Sequence, residues 1–296
     1  MTEKTYSLRT ITPFYGHGSN TKVPEIRPTE IKSLLRFTFR AVNAVSDIRA
    51  LFDKESSLFG RAGLEASSRA SGVRLKLTHP TEYSIIAEPL IFRKEKDENT
   101  DVKYIAPSTE FKLSLRTMYT NTAIDVFEKW FELSLALFGV GGRSRRARGS
   151  IEIAAPKHLS FNSRETILAS LSSLLNECCE ATFSQKNKYS LASGIIQNKD
   201  PLPQNVTYPY IKSIQVGQRY ESWKSLLSTI DLSAHENDSI FTGSDNPRYA
   251  SPIYVSAIML GDGVYPIVVT LHEIVDRLRP SDNRGDKSAN FVNAIL

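Results

Sequence analysis

The chain has 296 residues, of which 41% are hydrophobic and 23% are charged, which is enough for one large globular domain or two smaller ones. Its net charge of +5 favours an acidic partner. Residues 1–150 carry 24 Lys and Arg against 17 Asp and Glu, and the remaining residues carry 13 against 15. The basic character therefore belongs to the first half of the chain.

The sequence excludes several classes of protein. No apolar run reaches the roughly 18 residues that a membrane span requires, and the N-terminus has no apolar signal-peptide core. The two cysteines, Cys178 and Cys179, are adjacent, which rarely suits a disulfide, and the histidines lack metal-ligand spacing. We therefore expect a cytoplasmic protein with no membrane partner, no metal and no cofactor.

Strands and helices are predicted in the order β-α-β-β-(β)-α-β in the first half. A strand over Tyr6–Thr12 ends in a glycine-rich turn, and a helix begins after Pro28 with Thr29 as its N-cap. Apolar and basic residues alternate in two strands, Val73–Leu77 and Phe111–Arg116, with a third strand between them. This alternation predicts a half-buried sheet with a basic exposed face.

A second helix is predicted from about Thr122 to Phe138, and a strand resumes at Ser150. This order is typical of a ferredoxin-like domain, in which helices cover one face of an antiparallel sheet. We therefore predict an α+β fold with a first ferredoxin-like domain over residues 1–156 and a second, degenerate one over residues 157–296.

The second half repeats the pattern more faintly. It contains a predicted helix, a polar loop, a strand, another helix and two strands. In chain order these are Arg164–Cys178, residues 186–207, Tyr210–Val216, Glu221–Ser233, Ile253–Met259 and Tyr265–Leu271.

The segment between the second helix and Ser150 has the composition of an anion-binding loop. Glycines free the backbone and allow a ligand to approach it, and arginine forks fit phosphate oxygens. The segment could instead be a disordered polybasic stretch, but the flanking helix and strand favour an ordered loop. The loop lacks the Gly-Lys-Ser/Thr of a P-loop, and it follows a helix, whereas a Rossmann loop follows a strand. Both nucleotide-binding loops are therefore excluded, and RNA is the favoured ligand. The candidate contacts are Gly139, Gly141, Gly142, Arg143, Arg145, Arg146 and Arg148.

A second group of basic residues lies on the first helix. Lys32, Arg36 and Arg40 are four residues apart, opposite the apolar stripe of that helix, and Arg27 lies just before it. Such residues are often only a solvated helix face. The alternative, which the basic sheet face and Arg27 favour, is that they extend a track for a phosphate chain.

His17 lies between two glycines in the turn after the first strand. A histidine there could abstract a 2′-hydroxyl proton in RNA cleavage. It has no partner nearby in the sequence, and a lone loop histidine is more often merely exposed.

Several segments carry a family resemblance. They are Thr12-Pro13, Ile26–Phe37, Glu55 with Leu58–Gly60, Leu137–Ser150 and, in the second half, Arg248–Pro252. Together they resemble the RAMP superfamily of CRISPR-associated proteins, and within it the family of the first subunit of the type III-B Cmr effector complex. The family helix usually has tryptophan where Thr38 or Phe39 stands, and its loop often has glycine at Ala147. Alanine fits a tight loop there if its φ angle is negative.

The resemblance implies two RNA-recognition-motif-like domains and a non-catalytic subunit of an antiviral ribonucleoprotein. Such a subunit would bind guide RNA toward its 3′ end, or the guide–target duplex, and contact other Cmr subunits. A different subunit cleaves the target in that family. Two alternatives remain. One is a metal-independent RAMP endoribonuclease that processes precursor guide RNA with His17 as base. The other is an unrelated RNA-binding protein that works alone.

Overall fold

The computed structural model describes residues 2–63, 68–78, 83–92, 101–118, 124–156, 159, 161–199, 208–245, 248–261, 263–272 and 285–296. In chain order its elements are β1 (Glu3–Thr10), α1 (Pro28–Val42), α2 (Ile48–Phe59), β2 (Val73–Thr78), β3 (Ile85–Glu88), β4 (Val102–Ile105), β5 (Glu110–Thr117), α3 (Ile124–Leu137), β6 (Ile151–Ala155), α4 (Arg164–Phe183), β7 (Tyr189–Ala192), β8 (Ile195–Asn198), β9 (Ile211–Val216), α5 (Trp223–Glu236), β10 (Ser244–Asp245), β11 (Arg248–Tyr249), β12 (Ile253–Leu260), β13 (Gly263–Leu271) and α6 (Ser288–Asn293).

The first sheet has the strand order β2-β5-β1-β6, and every neighbouring pair is antiparallel. With α1 and α3 as the two crossovers, this is the arrangement of a ferredoxin-like unit. Tyr6 and Leu8 on β1 lie opposite Leu113 and Phe111 on β5, and all four side chains are buried. The predicted α+β class with antiparallel sheets is therefore confirmed, whereas the domain boundary after residue 156 stays a prediction.

The start of α1 differs from its predicted form. Its N-cap is Arg27, and Pro28 occupies the first helical position, where its missing N–H costs nothing. The carboxylate of Glu30 accepts a hydrogen bond from the Arg27 N–H at 3.0 Å. The prediction of Thr29 as N-cap is therefore wrong by two residues.

Helix α3 is buried on nearly all sides because it packs against α1, α4, β6, β12 and β13. Trp130, Phe131 and Leu133 are fully buried. Glu128 is also buried, and its carboxylate accepts hydrogen bonds from the Tyr6 hydroxyl and from Lys4 Nζ. α3 therefore links the elements of the first half with those of the second.

The second sheet has the order β12-β13-β9-β8-β7, again antiparallel throughout. Its β7–β8 hairpin lies where only a polar loop was predicted, and it turns through Ser193 and Gly194, both with positive φ. The predicted third strand of the first half is β3, which pairs antiparallel with β4 in a separate two-stranded sheet. In the described part of the chain, no helix is both long and apolar enough to span a membrane.

Candidate nucleic-acid interface

The segment 139–149, here called the arginine loop, connects α3 to β6 and is closed by backbone hydrogen bonds. The Val140 N–H donates to the Gly149 carbonyl at 2.9 Å, and the Gly149 N–H donates to the Pro13 carbonyl at 2.9 Å. The Gly142 N–H donates to the Tyr15 carbonyl at 2.5 Å. The loop is thus tied to the turn after β1, as expected of an ordered loop rather than a disordered basic segment.

The other side of the arginine loop is tied to β12 of the second sheet. The Ala147 N–H donates to the Val255 carbonyl at 2.8 Å, and the Val255 N–H donates to the Arg145 carbonyl at 3.2 Å. The Thr12 hydroxyl donates to the Ala147 carbonyl at 2.5 Å. The loop therefore depends on both sheets for its shape.

Ala147 adopts a left-handed backbone conformation, with φ +59°, so the condition of a negative φ, under which alanine was expected to fit a tight loop, is not met. This conformation costs an L-residue roughly 1–2 kcal/mol. The Ala147 side chain is fully buried in a cluster with Ile11, Ile230 and Val255. Burial of the methyl group and the hydrogen bonds to both backbone groups offset the cost, so the loop keeps a path that glycine would also follow.

The three glycines at the start of the loop are required by the packing of the protein itself. A Cβ added to Gly139 would lie 2.4 Å from the Arg148 carbonyl oxygen. At Gly141, where φ is +85°, it would lie 2.5 Å from the Tyr15 carbonyl oxygen, and at Gly142 it would lie 2.7 Å from Tyr15 Cδ1. The packing of the protein is thus sufficient to explain these glycines. The close approach of a ligand to them remains a prediction.

Arg148 does not face solvent, so the prediction that it grips phosphate is wrong. Its side chain is 0% exposed and pairs with Asp231 on α5, at 3.1 Å from Nη1 to Oδ1 and 2.7 Å from Nη2 to Oδ2. Burial lowers the Arg148 pKa, but the hydrogen bonds and charge of Asp231 outweigh it, so the pKa is raised overall. Asp231 also accepts a bond from the Phe92 N–H at 2.8 Å.

Arg146 also serves the packing of the loop. Its guanidinium donates to the Thr242 carbonyl at 2.6 Å and to the Ser251 hydroxyl at 3.3 Å, and it lies 4.7 Å from the centre of the Phe291 ring. Burial lowers the Arg146 pKa to about 10, partly opposed by the charge of Asp231, so it stays protonated near neutral pH. Two of its guanidinium N–H groups are therefore used within the protein.

Arg143 and Arg145 are the arginines of the loop that remain best placed for an external ligand. Both are half-buried rather than enclosed. Arg143 has φ +55°, and its charge, like that of Arg148, opposes the rise in the Tyr104 pKa that burial causes. Arg145 lies 4.8 Å from the centre of the Tyr254 ring, a cation–π contact that leaves its hydrogen-bond donors available.

Two of the predicted basic residues on α1 share one buried carboxylate on α2. Arg36 Nη1 lies 2.6 Å from Glu55 Oε1, and Arg40 Nη1 lies 2.9 Å from both Glu55 oxygens. Arg36 also donates to the Phe59 carbonyl at 3.0 Å. These contacts join α1 to α2, and two cations on one carboxylate still leave a positive charge. Glu55 was part of the resemblance, but its role was not predicted.

Lys32 and Arg27 lie at the other end of α1. Lys32 is half-buried, and burial, followed by the charge of Arg36, lowers its pKa. Arg27 pairs with Glu30 at 3.3 Å. Both retain enough exposure to meet a polyanion.

His17 contacts a ring that sequence reasoning missed. Its imidazole lies 5.1 Å from the Tyr15 ring, edge to face, and Tyr15 also lies 5.5 Å from the Tyr104 ring. Because Gly142 packs on Tyr15, His17 adjoins the start of the arginine loop. The signal in the sequence that could have indicated this contact is Tyr15, an aromatic residue within the same glycine-rich turn as His17.

Comparisons with a family model and with a curated protein point to the same family. Residues 7–152 match the family model described as the RAMP superfamily. The CRISPR system Cmr subunit Cmr1-2 of Pyrococcus furiosus is 26% identical over 187 residues, which span 52% of this chain and 96% of that protein. The arginine loop lies within the matched family region.

Two solved structures share the fold over nearly the whole length. Cmr1 from Pyrococcus furiosus, in its apo form, has a TM-score of 0.60 at 19% identity, covering 100% of this chain and 96% of that one. A chain of the type III-B Cmr-beta complex bound to cognate target RNA has a TM-score of 0.62 at 13% identity, covering 99% of both. The predicted resemblance to the RAMP superfamily is therefore confirmed.

Proposed function

We propose that the chain is a non-catalytic, RNA-binding subunit of a type III-B CRISPR effector complex. The observation that carries the proposal is the shared fold, over 99% of both chains, with a subunit of a Cmr complex that binds cognate target RNA. In this role it holds guide RNA toward its 3′ end, or the guide–target duplex, and contacts other Cmr subunits.

The contacts proposed for RNA are Arg143 and Arg145 on the loop, with Lys32 and Arg27 beside α1. Arginine and lysine bind phosphate oxygens without reading the base, which suits a complex whose specificity comes from guide pairing. Arg36 and Arg40 add positive charge along the same helix while they hold Glu55. Arg146 and Arg148 act on RNA only through the shape of the loop.

The double substitution Arg143→Gln/Arg145→Gln tests this assignment. We expect it to weaken binding of a labelled single-stranded RNA by about tenfold or more, since each charged hydrogen bond contributes roughly 1.5–3 kcal/mol. The slope of log affinity against log salt should fall by about 1.4, or 0.7 for each lost phosphate contact.

The matched control is Lys186→Gln/Lys212→Gln, which removes the same charge at exposed positions in the second half. It should change neither affinity nor slope beyond the small effect of net charge. If both double variants behave alike, the arginine loop is not the RNA contact.

The alternative of an endoribonuclease makes a separate prediction for His17. We expect the purified protein to leave repeat-containing RNA intact in EDTA, and His17→Ala to bind RNA with nearly unchanged affinity. Gel analysis of the RNA checks this. Cleavage by the unaltered protein that disappears in His17→Ala would replace the non-catalytic proposal.

A further inference from the structure

The first sheet has an open face, on the side away from α1 and α3, that carries an excess of positive charge. Side chains alternate across this sheet, so Phe111, Leu113 and Leu115 on β5 face the core. Four of the intervening positions on β2 and β5 are exposed and basic. They are Arg74, Lys76, Lys112 and Arg116.

The strand register gathers these cations on one surface. Arg74 lies directly opposite Arg116, while Lys76 lies opposite Ser114 and Thr78 opposite Lys112. Like charges directly opposite each other on a sheet are destabilising. A bound polyanion would reduce the repulsion between Arg74 and Arg116.

On the described strands of this face, carboxylates lie only toward its two ends. Glu3 lies opposite Arg116 and Glu110 lies opposite Arg9, which also pairs with Glu152. In the described ranges, no carboxylate lies within ion-pair distance of Arg74, Lys76 or Lys112. These three side chains therefore form the uncompensated centre of the face, here called the β2–β5 basic patch.

Protection of an exposed strand edge does not account for the patch. Charged side chains commonly guard edge strands against pairing with another chain, and β2 is at the edge. β5, however, is paired on both sides, by β2 and β1, so Lys112 guards no edge. A binding role explains the residues on both strands.

We infer that the β2–β5 basic patch is a second binding surface for the RNA phosphate backbone, an inference that rests on the proposed RNA-binding function. Hydroxyl groups adjoin the cations, with Thr5 Oγ1 and Ser114 Oγ 2.9 Å apart and Ser7 opposite Lys112. Lysine, arginine, serine and threonine are the side chains that contact phosphate and sugar. The outer positions of β1, β2 and β5 carry only polar and charged residues.

A protein partner fits this surface less well. The cores of protein–protein interfaces are enriched in aromatic residues and depleted in lysine. The exposed apolar side chain of Met118 lies just past the end of β5 rather than among the cations. Charge complementarity with a phosphate chain is therefore the better match.

The test removes the patch without disturbing the core. The triple variant Arg74→Gln, Lys76→Gln and Lys112→Gln is compared with Lys186→Gln, Lys199→Gln and Lys212→Gln, which removes three exposed charges from the second half. Full-length protein is titrated with labelled single-stranded RNA at several salt concentrations. We expect the patch variant to lower the salt slope by about 2 and the control variant to leave it unchanged.

Combination with the loop variant Arg143→Gln/Arg145→Gln separates this inference from the proposed function. Because the two surfaces share no residue, their losses in log affinity should add. If only the loop variant lowers the salt slope, the β2–β5 basic patch does not bind RNA, and the proposed function stands. If neither variant changes the salt slope, both the inference about the patch and the proposed RNA-binding function are wrong. Loss of complex assembly with unchanged RNA affinity would make the patch a protein-binding surface and overturn it as well.

Discussion

Replacement of Asp231 with alanine is expected to destabilise the protein by about 3–5 kcal/mol, the typical loss when one partner of a buried ion pair is removed. Asp231 and Arg148 have side-chain exposures of 1% and 0%. The alanine variant would leave the Arg148 guanidinium charged and without a counter-ion in the interior. Asp231 also holds the Phe92 N–H, which would lose its acceptor.

Urea denaturation measures this effect through the midpoint and the slope of unfolding. The double variant Arg148→Met/Asp231→Leu removes both charges and should recover most of the lost stability, since apolar replacements of buried pairs are often neutral. Lys186→Ala, which breaks an exposed pair with Glu180, should cost less than about 1 kcal/mol. A loss of that small size in Asp231→Ala would show that the pair does not hold the loop.

The second large effect is expected from Gly149→Ala, which should cost about 2–4 kcal/mol through strain and overpacking. Gly149 has φ +68°, and an added Cβ would lie 1.9 Å from the Val140 carbonyl oxygen. That oxygen belongs to a residue whose N–H closes the loop onto the Gly149 carbonyl. The loop would have to open, and RNA affinity should fall together with stability.

Gly194→Ala provides a matched control. Gly194 has φ +75°, but nothing lies within 4 Å of its added Cβ, so only the conformational cost of about 1–2 kcal/mol applies. The difference between the two variants isolates the steric term. Equal losses of stability, with RNA binding intact in Gly149→Ala, would show that the tight loop geometry is unnecessary.

The fold of the first half was accessible from its sequence because local patterns are strong there. The alternation in Val73–Leu77 and Phe111–Arg116 predicts β2 and β5, and the order of elements predicts the ferredoxin-like unit. The hairpin β7–β8 was missed because its strands are short and contain several polar residues, so periodicity carries little signal.

The sequence indicates where basic residues cluster, but not which of them pair within the protein. The loop composition indicates positive charge, but it does not reveal that the partner of Arg148 is 83 residues away. The same applies to Arg36, whose carboxylate partner lies 19 residues further on. Burial and long-range pairing depend on tertiary packing. Arginines that look equivalent in the sequence therefore separate into loop-holding and partly exposed groups only in the structure.

The most direct test of the proposed function is purification of the tagged chain from its native cell, with analysis of the proteins and RNA that accompany it. An effector-complex subunit should bring with it a set of sister subunits in fixed proportion and a short guide RNA. The Arg143→Gln/Arg145→Gln variant should recover less of that RNA relative to protein. A chain that purifies alone, without subunits or RNA, would contradict the proposal.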